Sequence, residues 1–327
     1  MGKTLTIKKI DKSKAYDAWI QFRTNGLGGS EVGTVMGVNS WKSPAELYYQ
    51  KLGLIPQKVD QNIPMFMGTI MEALVADLFS YWDSDDASMM ANYDAKTPVR
   101  KLYEPIGYMV NPEYPHLFFS PDRLQVSKDI RIRDEKINLE NVEAIIEIKT
   151  ISGWSSKQWD GGIPPAYYLQ VQTYLMGLGI DTAYLVSLED GRNLKVHKFD
   201  RDDEIIDMIE SVTADFWERV TLGREALVNG EDHDQFAPGP DGTMAYEKFL
   251  NEKFKNPEEK TIKSNDDIDG LIAKYIGINQ DIKQFEEEQR FCTNHIKEYM
   301  GENTILDSDI ARVTWRPNKN GTRVFRL

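Results

Sequence analysis

The run Val142-Glu143-Ala144-Ile145-Ile146-Glu147-Ile148-Lys149-Thr150-Ile151 constrains this chain more than any other segment. It is apolar and β-branched enough to be a strand buried within a sheet. Yet it carries a Glu and a Lys two residues apart, on one face of that strand. An unpaired ion buried there costs several kcal/mol, so the sequence needs either a mutual pair or a compensating cation. Ser120-Pro121-Asp122 stands upstream. In one reading Asp122 and Glu147 offer hard oxygen ligands to a divalent metal such as Mg²⁺, with Lys149 placed to orient or deprotonate an attacking water. In the other, Glu147 and Lys149 are a plain ion pair at a strand end.

The surroundings favour the first reading. Glu72 is an isolated acid in the apolar helical stretch MFMGTIMEALVADLFSYW, where it would supply a third carboxylate. Gln170 opens a further helix just after Tyr167 and Tyr168. SPAELYYQKLG reads as a helix capped by Ser43, with Pro44 in its first turn, Glu46 three residues after the cap and Gly53 closing it. IGYMVN, HLFFSPDRL and VEAIIEIKTI are strand candidates. TAYLVSLE and NLKVHKFD form a predicted hairpin around Asp190-Gly191, followed by the amphipathic helix DDEIIDMIESVTADFWERV. This mixture predicts an α/β (α+β) domain over residues 1–225.

Residues 226–263 are rich in Gly, Pro, Asp and Glu and predict a polar linker with a short helix. Residues 264–327 predict a long helix and a basic hairpin. Along the helix, Leu271, Tyr275, Ile278, Ile282, Phe285, Gln289, Cys292, Ile296 and Met300 follow spacings of mostly four and three, a coiled-coil-like seam. That seam packs either on its own domain or on a partner helix. From Ile310 onward there is no acid, while Arg312, Arg316, Lys319, Arg323 and Arg326 give a local charge of +5.

The 327 residues carry a formal charge of −13, which taken alone argues against a nucleic-acid partner. Acids that serve as metal ligands weaken that argument. A single cysteine, Cys292, excludes a disulfide framework and any four-cysteine metal site. No window approaches the roughly 18 uninterrupted apolar residues of a membrane span. The start, MGKTLTIKKIDKSKAYDAW, has no apolar leader core, so the expected compartment is the cytoplasm, without membrane association.

The order Glu on a helix, Pro-Asp, Glu-x-Lys on strands and Gln on a helix resembles the PD-(D/E)xK nuclease core. GLGGSEVGTVMGVNSWKSPAELYYQKLG, MGTIMEALVADLF, NPEYPHLFFSPDRL, EIKT and GIPPAYYLQVQTYLMGLGIDTAYLV together are similar to the YqaJ-like viral recombinase family, relatives of the phage lambda-type alkaline exonuclease, over roughly residues 15–220. The resemblance implies a restriction-endonuclease-like core: a mixed central β-sheet flanked by helices, with the C-terminal helix and hairpin as an appendage. It implies two Mg²⁺ ions (with Mn²⁺ as a substitute) on Glu72, Asp122, Glu147 and the Ile148 backbone. Lys149 matches the catalytic lysine, and Gln170 with Tyr167 the pair flanking the active site; Glu113 is the nearest candidate for a further acid. Arg23, Ser30 and Ser120 match a 5′-phosphate site, with Trp19 four residues before the arginine. The Gly-rich GLGGSE loop opening a helix suits an anion independently, although Ser30 as an ordinary N-cap is the alternative.

The resemblance further implies a phage or prophage protein in a bacterial host. Its activity would be 5′→3′ exonucleolysis on double-stranded DNA ends, leaving 3′ single strands for homologous recombination. The implied partners are a single-strand annealing protein and further copies of the chain, assembled as a ring such as a trimer. Two rivals stand beside this reading: an endonuclease of the same fold, and a catalytically silent scaffold that binds DNA ends or a recombinase. Cas4-like nucleases need cysteine clusters that one cysteine cannot supply.

Overall fold

The computed structural model describes residues 22–56, 62–105, 107–128, 138–153, 159 and 161–327, with the backbone of 6–8. Trp19 lies outside the described residues. The chain forms two compact units, residues 1–255 and 256–327.

The first unit is built on a mixed five-stranded sheet: β3 (Lys101–Tyr103), β6 (Arg123–Val126), β7 (Val142–Ile151), β8 (Thr182–Glu189) and β9 (Asn193–Asp200), in that spatial order. Only the β7–β8 pair is parallel. The β8–β9 turn has positive φ at Asp190 (49°) and Gly191 (69°), the handedness a tight hairpin needs. A second sheet has the order β1 (Thr6–Lys8), β4 (Tyr108–Val110), β5 (Leu117–Phe119), β2 (Leu27–Gly28).

The stretch HLFFSPDRL, expected as one strand, is two. β5 ends at Phe119 and β6 begins at Arg123, in different sheets. Pro121 offers no N–H for a ladder, so the chain leaves one sheet and enters the other at Ser120-Pro121-Asp122.

Helices cover both faces of the five-stranded sheet. On β7, Ile146 and Ile148 point to one face and pack against Val75, Ala76 and Phe79 of α3 (Ile63–Tyr81). Ile145 and Glu147 point to the other face, where Ile145 joins the larger core with Leu169, Val171 and Leu175 of α5 (Pro165–Leu178). That core also holds α1 (Gly29–Val35), α2 (Pro44–Lys51) and α6 (Asp203–Asn229). Ser43 caps α2 as expected, its Oγ accepting from Glu46 N–H. The short strands β1, β2, β3 and β10 (Ile305–Asp307) and the helix α4 (Asp86–Ala95) escape the sequence reading. The short helix expected in 226–263 is α7 (Met244–Lys253), and its Tyr246 and Phe249 belong to the first unit's core.

The apolar character of α3 predicts burial, but Ile63, Met65, Phe66, Met67, Ile70 and Leu74 are exposed. By length and composition α3 is apolar enough to cross a membrane, unlike the sequence expectation. The helix also carries Glu72 and Asp77.

The second unit comprises α8 (Asp266–Met300) and an antiparallel sheet of three strands: β10 (Ile305–Asp307), β11 (Arg312–Pro317) and β12 (Arg323–Arg326). The expected hairpin is β11–β12, to which β10 adds an edge. Along α8, Leu271, Tyr275, Ile278, Ile282 and Phe285 are exposed.

Candidate active site

Strand β7 carries the centre of the site. Glu147 is sealed at 2% exposure, on the face of β7 that looks toward α5. Its Oε1 accepts from Lys149 Nζ at 2.6 Å and from Gln170 Nε2 at 2.7 Å. Gln170 also bonds the Tyr174 hydroxyl at 3.1 Å, and its Oε1 lies 3.4 Å from Lys149 Nζ. The Lys149 ammonium stands 4.9 Å from the centre of the Tyr167 ring. Thus Gln170, Tyr167 and Lys149, predicted as a group, meet around one carboxylate. Tyr174, one helical turn after Gln170, joins them; that i, i+4 spacing was its only signal in the sequence.

Asp122 sits where the chain enters β6, and its Oδ2 accepts the Ile148 N–H at 2.7 Å. Burial, then the Glu147 charge, pushes its carboxyl up to about 7. Burial also raises Glu147, and raises Glu72 with help from Asp122. Burial opposes the charge on Lys149, but Glu147 and Asp122 outweigh it and hold the amine at about 12. Three acids disfavoured in their charged forms beside one ammonium and the Arg123 guanidinium are the electrostatics of a site short of positive charge.

Glu72 reaches the group from α3, on the opposite face of the sheet. It is held by Arg123, whose Nη1 lies 2.7 Å from Glu72 Oε1 and whose Nη2 lies 3.3 Å from Glu104. Sequence reasoning missed both Arg123 and Glu104, because an arginine following Pro-Asp reads as an ordinary polar residue. Glu113 is exposed at the bend after β4, and its N–H donates to Asn111 Oδ1.

A cleft of about 170 Å³ joins the two predicted groups. Asp122, Glu147, Gln170 and Tyr174 line it together with Arg23, Gly28, Ser30 and Ser120. Glu72, Lys149 and Tyr167 stand outside its lining.

The Arg23 side of the cleft rests on a buried ion network. Glu31 in α1 receives Arg23 Nη2 at 2.8 Å, Lys51 Nζ at 2.8 Å and the Gly28 N–H at 2.9 Å. Lys51, at the end of α2 and 1% exposed, also donates to the carbonyls of Arg23 (2.7 Å) and Gly26 (2.8 Å). Burial opposes ionisation of Glu31, but Lys51 and Arg23 override it and bring its pKa down to about 2. Gly28, not Ser30, is the N-cap of α1, and Ser30 remains exposed.

Two glycines of the GLGGSEVG stretch are required by packing. A Cβ on Gly29 would lie 2.4 Å from the Tyr174 ring, and one on Gly33 would lie 2.9 Å from Ala166 Cβ. Four residues apart on one face of α1, they let it approach α5 closely.

The carboxylates suit a hard cation at one point above all. Glu147 Oε2 is buried without a hydrogen-bond partner, a costly state for a charged oxygen in a protein interior. Asp122, Glu147 and the Ile148 backbone could hold such an ion between them. Among the described residues, no three His, Cys, Asp or Glu side chains stand close enough to enclose a metal as they are. Glu72 is engaged instead in the ion pair with Arg123.

The profile of the YqaJ-like viral recombinase domain matches residues 18–180. The chain carries a YqaJ-like viral recombinase domain. It is 28% identical over 305 residues to the YqaJ protein of Bacillus subtilis (strain 168), covering 92% of this chain and 83% of that protein. Among solved structures, the alkaline exonuclease from Laribacter hongkongensis is similar at 23% identity and a TM-score of 0.47, covering 65% of this chain and 97% of the other. A phage related exonuclease from Haemophilus somnus 129PT is similar at 10% identity and a TM-score of 0.36, over 65% of this chain and 99% of its own. The match of the recombinase domain takes in Arg23, Ser30, Glu72, Ser120, Asp122, Glu147, Lys149, Tyr167 and Gln170.

Proposed function

We propose that the recombinase domain is a metal-dependent 5′→3′ exonuclease acting on double-stranded DNA ends. The observation that carries this reading is one cleft lined both by Arg23, Ser30 and Ser120 and by Asp122 and the under-bonded Glu147. Divalent ions, Mg²⁺ by the hardness of the donors, supply Lewis acidity and charge neutralisation when bound there.

The chain's own residues do the rest. Arg23 and Ser30 offer a cation and a hydroxyl to a terminal phosphate, while Ser120 and Asp122 follow one another around the Pro121 bend. Placing the phosphate pocket beside the acids sets how far from the end the reacting phosphodiester lies, which favours removal of single nucleotides. Gln170 fixes the orientation of Glu147 and steadies Lys149. With the acids charged, Lys149 is an ammonium and stabilises negative charge. Neutralising Glu147 and Asp122 removes what holds its pKa up, so a base role for Lys149 and a cation site go together. The 3′ strand left by this activity suits a single-strand annealing partner, and a ring of copies in the host cytoplasm would keep the domain on its DNA.

A digestion time course tests the reading with 5′-phosphorylated, 5′-hydroxyl and covalently closed duplexes, with and without Mg²⁺. Mg²⁺-dependent loss of the linear 5′-phosphorylated duplex alone is expected. Cutting of closed circles would instead favour an endonuclease. Lys149→Ala and Glu147→Ala should abolish degradation while DNA binding persists, and Arg23→Ala should erase the preference for 5′-phosphate. Normal digestion by either of the first two variants overturns the assignment.

A further inference from the structure

The three strands of the second unit divide their residues between two unlike faces. Trp315 stands opposite Phe325, and Pro317 opposite Arg323. This face is turned inward on the end of α8. Lys297 lies 5.7 Å from the centres of both the Trp315 and Phe325 rings. The Arg323 guanidinium covers Trp315 at 3.6 Å and donates to the carbonyls of Trp315, Gly301 and Asn303. Val313, on the same face, is buried. These contacts fasten the sheet to its helix.

The alternate residues form the outer face: Arg312 and Arg316 on β11, Arg326 on β12, with Thr314 and Val324 between them. All three arginines are exposed. Arg326 faces Thr314 and Arg316 faces Val324, so Arg316 and Arg326 are diagonal neighbours, about 7–8 Å apart at their backbones. Like charges so placed repel each other. Arg312 stands opposite Asp307, which lies 3.8 Å away. Among the described residues, neither Arg316 nor Arg326 has a carboxylate partner. Lys319 extends the same charge into the turn.

We propose that this outer face binds the phosphate backbone of duplex DNA; the proposal rests on DNA being the substrate of the first unit. Two unpaired guanidiniums flanking a threonine hydroxyl provide forked donors and a neutral one for successive phosphate oxygens. An acidic protein surface would share the charge complementarity, but stable protein interfaces need buried aromatic or aliphatic anchors. Here both aromatic rings are spent on the inner face, and the outer face holds two aliphatic side chains, the half-buried Ile305 opposite Thr314 and the exposed Val324. A row of phosphates needs no such anchor. In a chain of net charge −13, this face gives a local grip while the remaining surface discourages indiscriminate binding.

The test compares the full-length protein with an Arg316→Gln/Arg326→Gln variant in EDTA, by fluorescence anisotropy on a labelled blunt duplex across a series of salt concentrations. Thermal melting checks that the variant is folded. The variant should bind about tenfold more weakly, with the slope of log K against log salt reduced by roughly two. An Arg316→Lys/Arg326→Lys variant should recover most of the slope. Unchanged affinity and slope in the Gln variant overturn the proposal. So does unchanged DNA binding accompanied by loss of affinity for poly-glutamate, which would make the face a protein-docking surface. Mg²⁺-dependent hydrolysis by the wild-type chain is followed in parallel. Its absence beside an altered slope refutes the nuclease reading alone; its presence beside an unaltered slope refutes this inference alone.

Discussion

Replacing Asp122 with asparagine should stabilise the metal-free protein while destroying its activity. The asparagine keeps an oxygen to accept the Ile148 N–H, and its new amide faces the electron-rich surroundings of Glu147, so hydrogen bonding is largely conserved. What disappears is a carboxylate whose pKa is pushed from its ordinary value near 4 up to about 7 by burial and by Glu147. Such a group binds its proton more tightly folded than unfolded, so stability falls as pH rises through that window and the full cost is reached above it. Sealed completely, the group would cost about 4 kcal/mol at pH 8. Asp122 is only half-buried at the cleft, which reduces the expected gain to about 2 kcal/mol. Urea denaturation in EDTA at pH 8 and pH 4 measures it: the variant should be more stable at pH 8, and the difference should shrink below about 1 kcal/mol at pH 4. Mg²⁺ should raise the melting temperature of the wild type and not of the variant. A variant no more stable than wild type at pH 8, or a gain of the same size at both pH values, refutes the electrostatic account of the site.

Three further outcomes are expected. Lys51→Met leaves Glu31 buried with less compensation and should cost about 3–5 kcal/mol in chemical denaturation at pH 7; a loss under about 1 kcal/mol would show that Arg23 alone suffices. Because Glu31 is held down at about 2, its contribution to stability is present above its ordinary pKa near 4.5 and is lost as pH falls toward 2. Acid titration of Glu31→Gln should therefore lack that component of the wild-type transition. Gly29→Ala drives a methyl into the Tyr174 ring, and thermal melting should show a loss of about 1–3 kcal/mol unless a smaller residue replaces Tyr174.

Much of the site was legible because its acids contradict their surroundings. Glu147 in an apolar strand and Glu72 in an apolar helix are costly choices, and such choices are visible in the sequence alone. The partners that make them tolerable were harder to see. Lys51 ends a helix read from its capping signals and looks like any solvent-facing lysine, yet it is among the most deeply buried side chains in the protein. Arg123 and Glu104 act through space across 51 and 32 positions from Glu72, and no local pattern reports that. The Pro121 break was present in the sequence, but a motif read for its chemistry hid its effect on topology. On α3, apolar composition implied burial, whereas only Val75, Ala76 and Phe79 are sealed; composition specifies how much a helix can bury, not which face finds a neighbour.

The bond from Ile148 N–H to Asp122 Oδ2 continues the β6–β7 ladder by one rung, with a side chain standing in for a backbone carbonyl. That rung differs from its neighbours in being titratable. A backbone carbonyl has the same strength at every pH, whereas this acceptor weakens when Asp122 takes up a proton and is drawn away when a cation competes for its oxygens. The amide hydrogen of Ile148 is therefore a spectroscopic probe built into the sheet. Its exchange rate and chemical shift should follow the charge state of the site without any label, reporting occupancy from the backbone of the strand that holds Glu147 and Lys149.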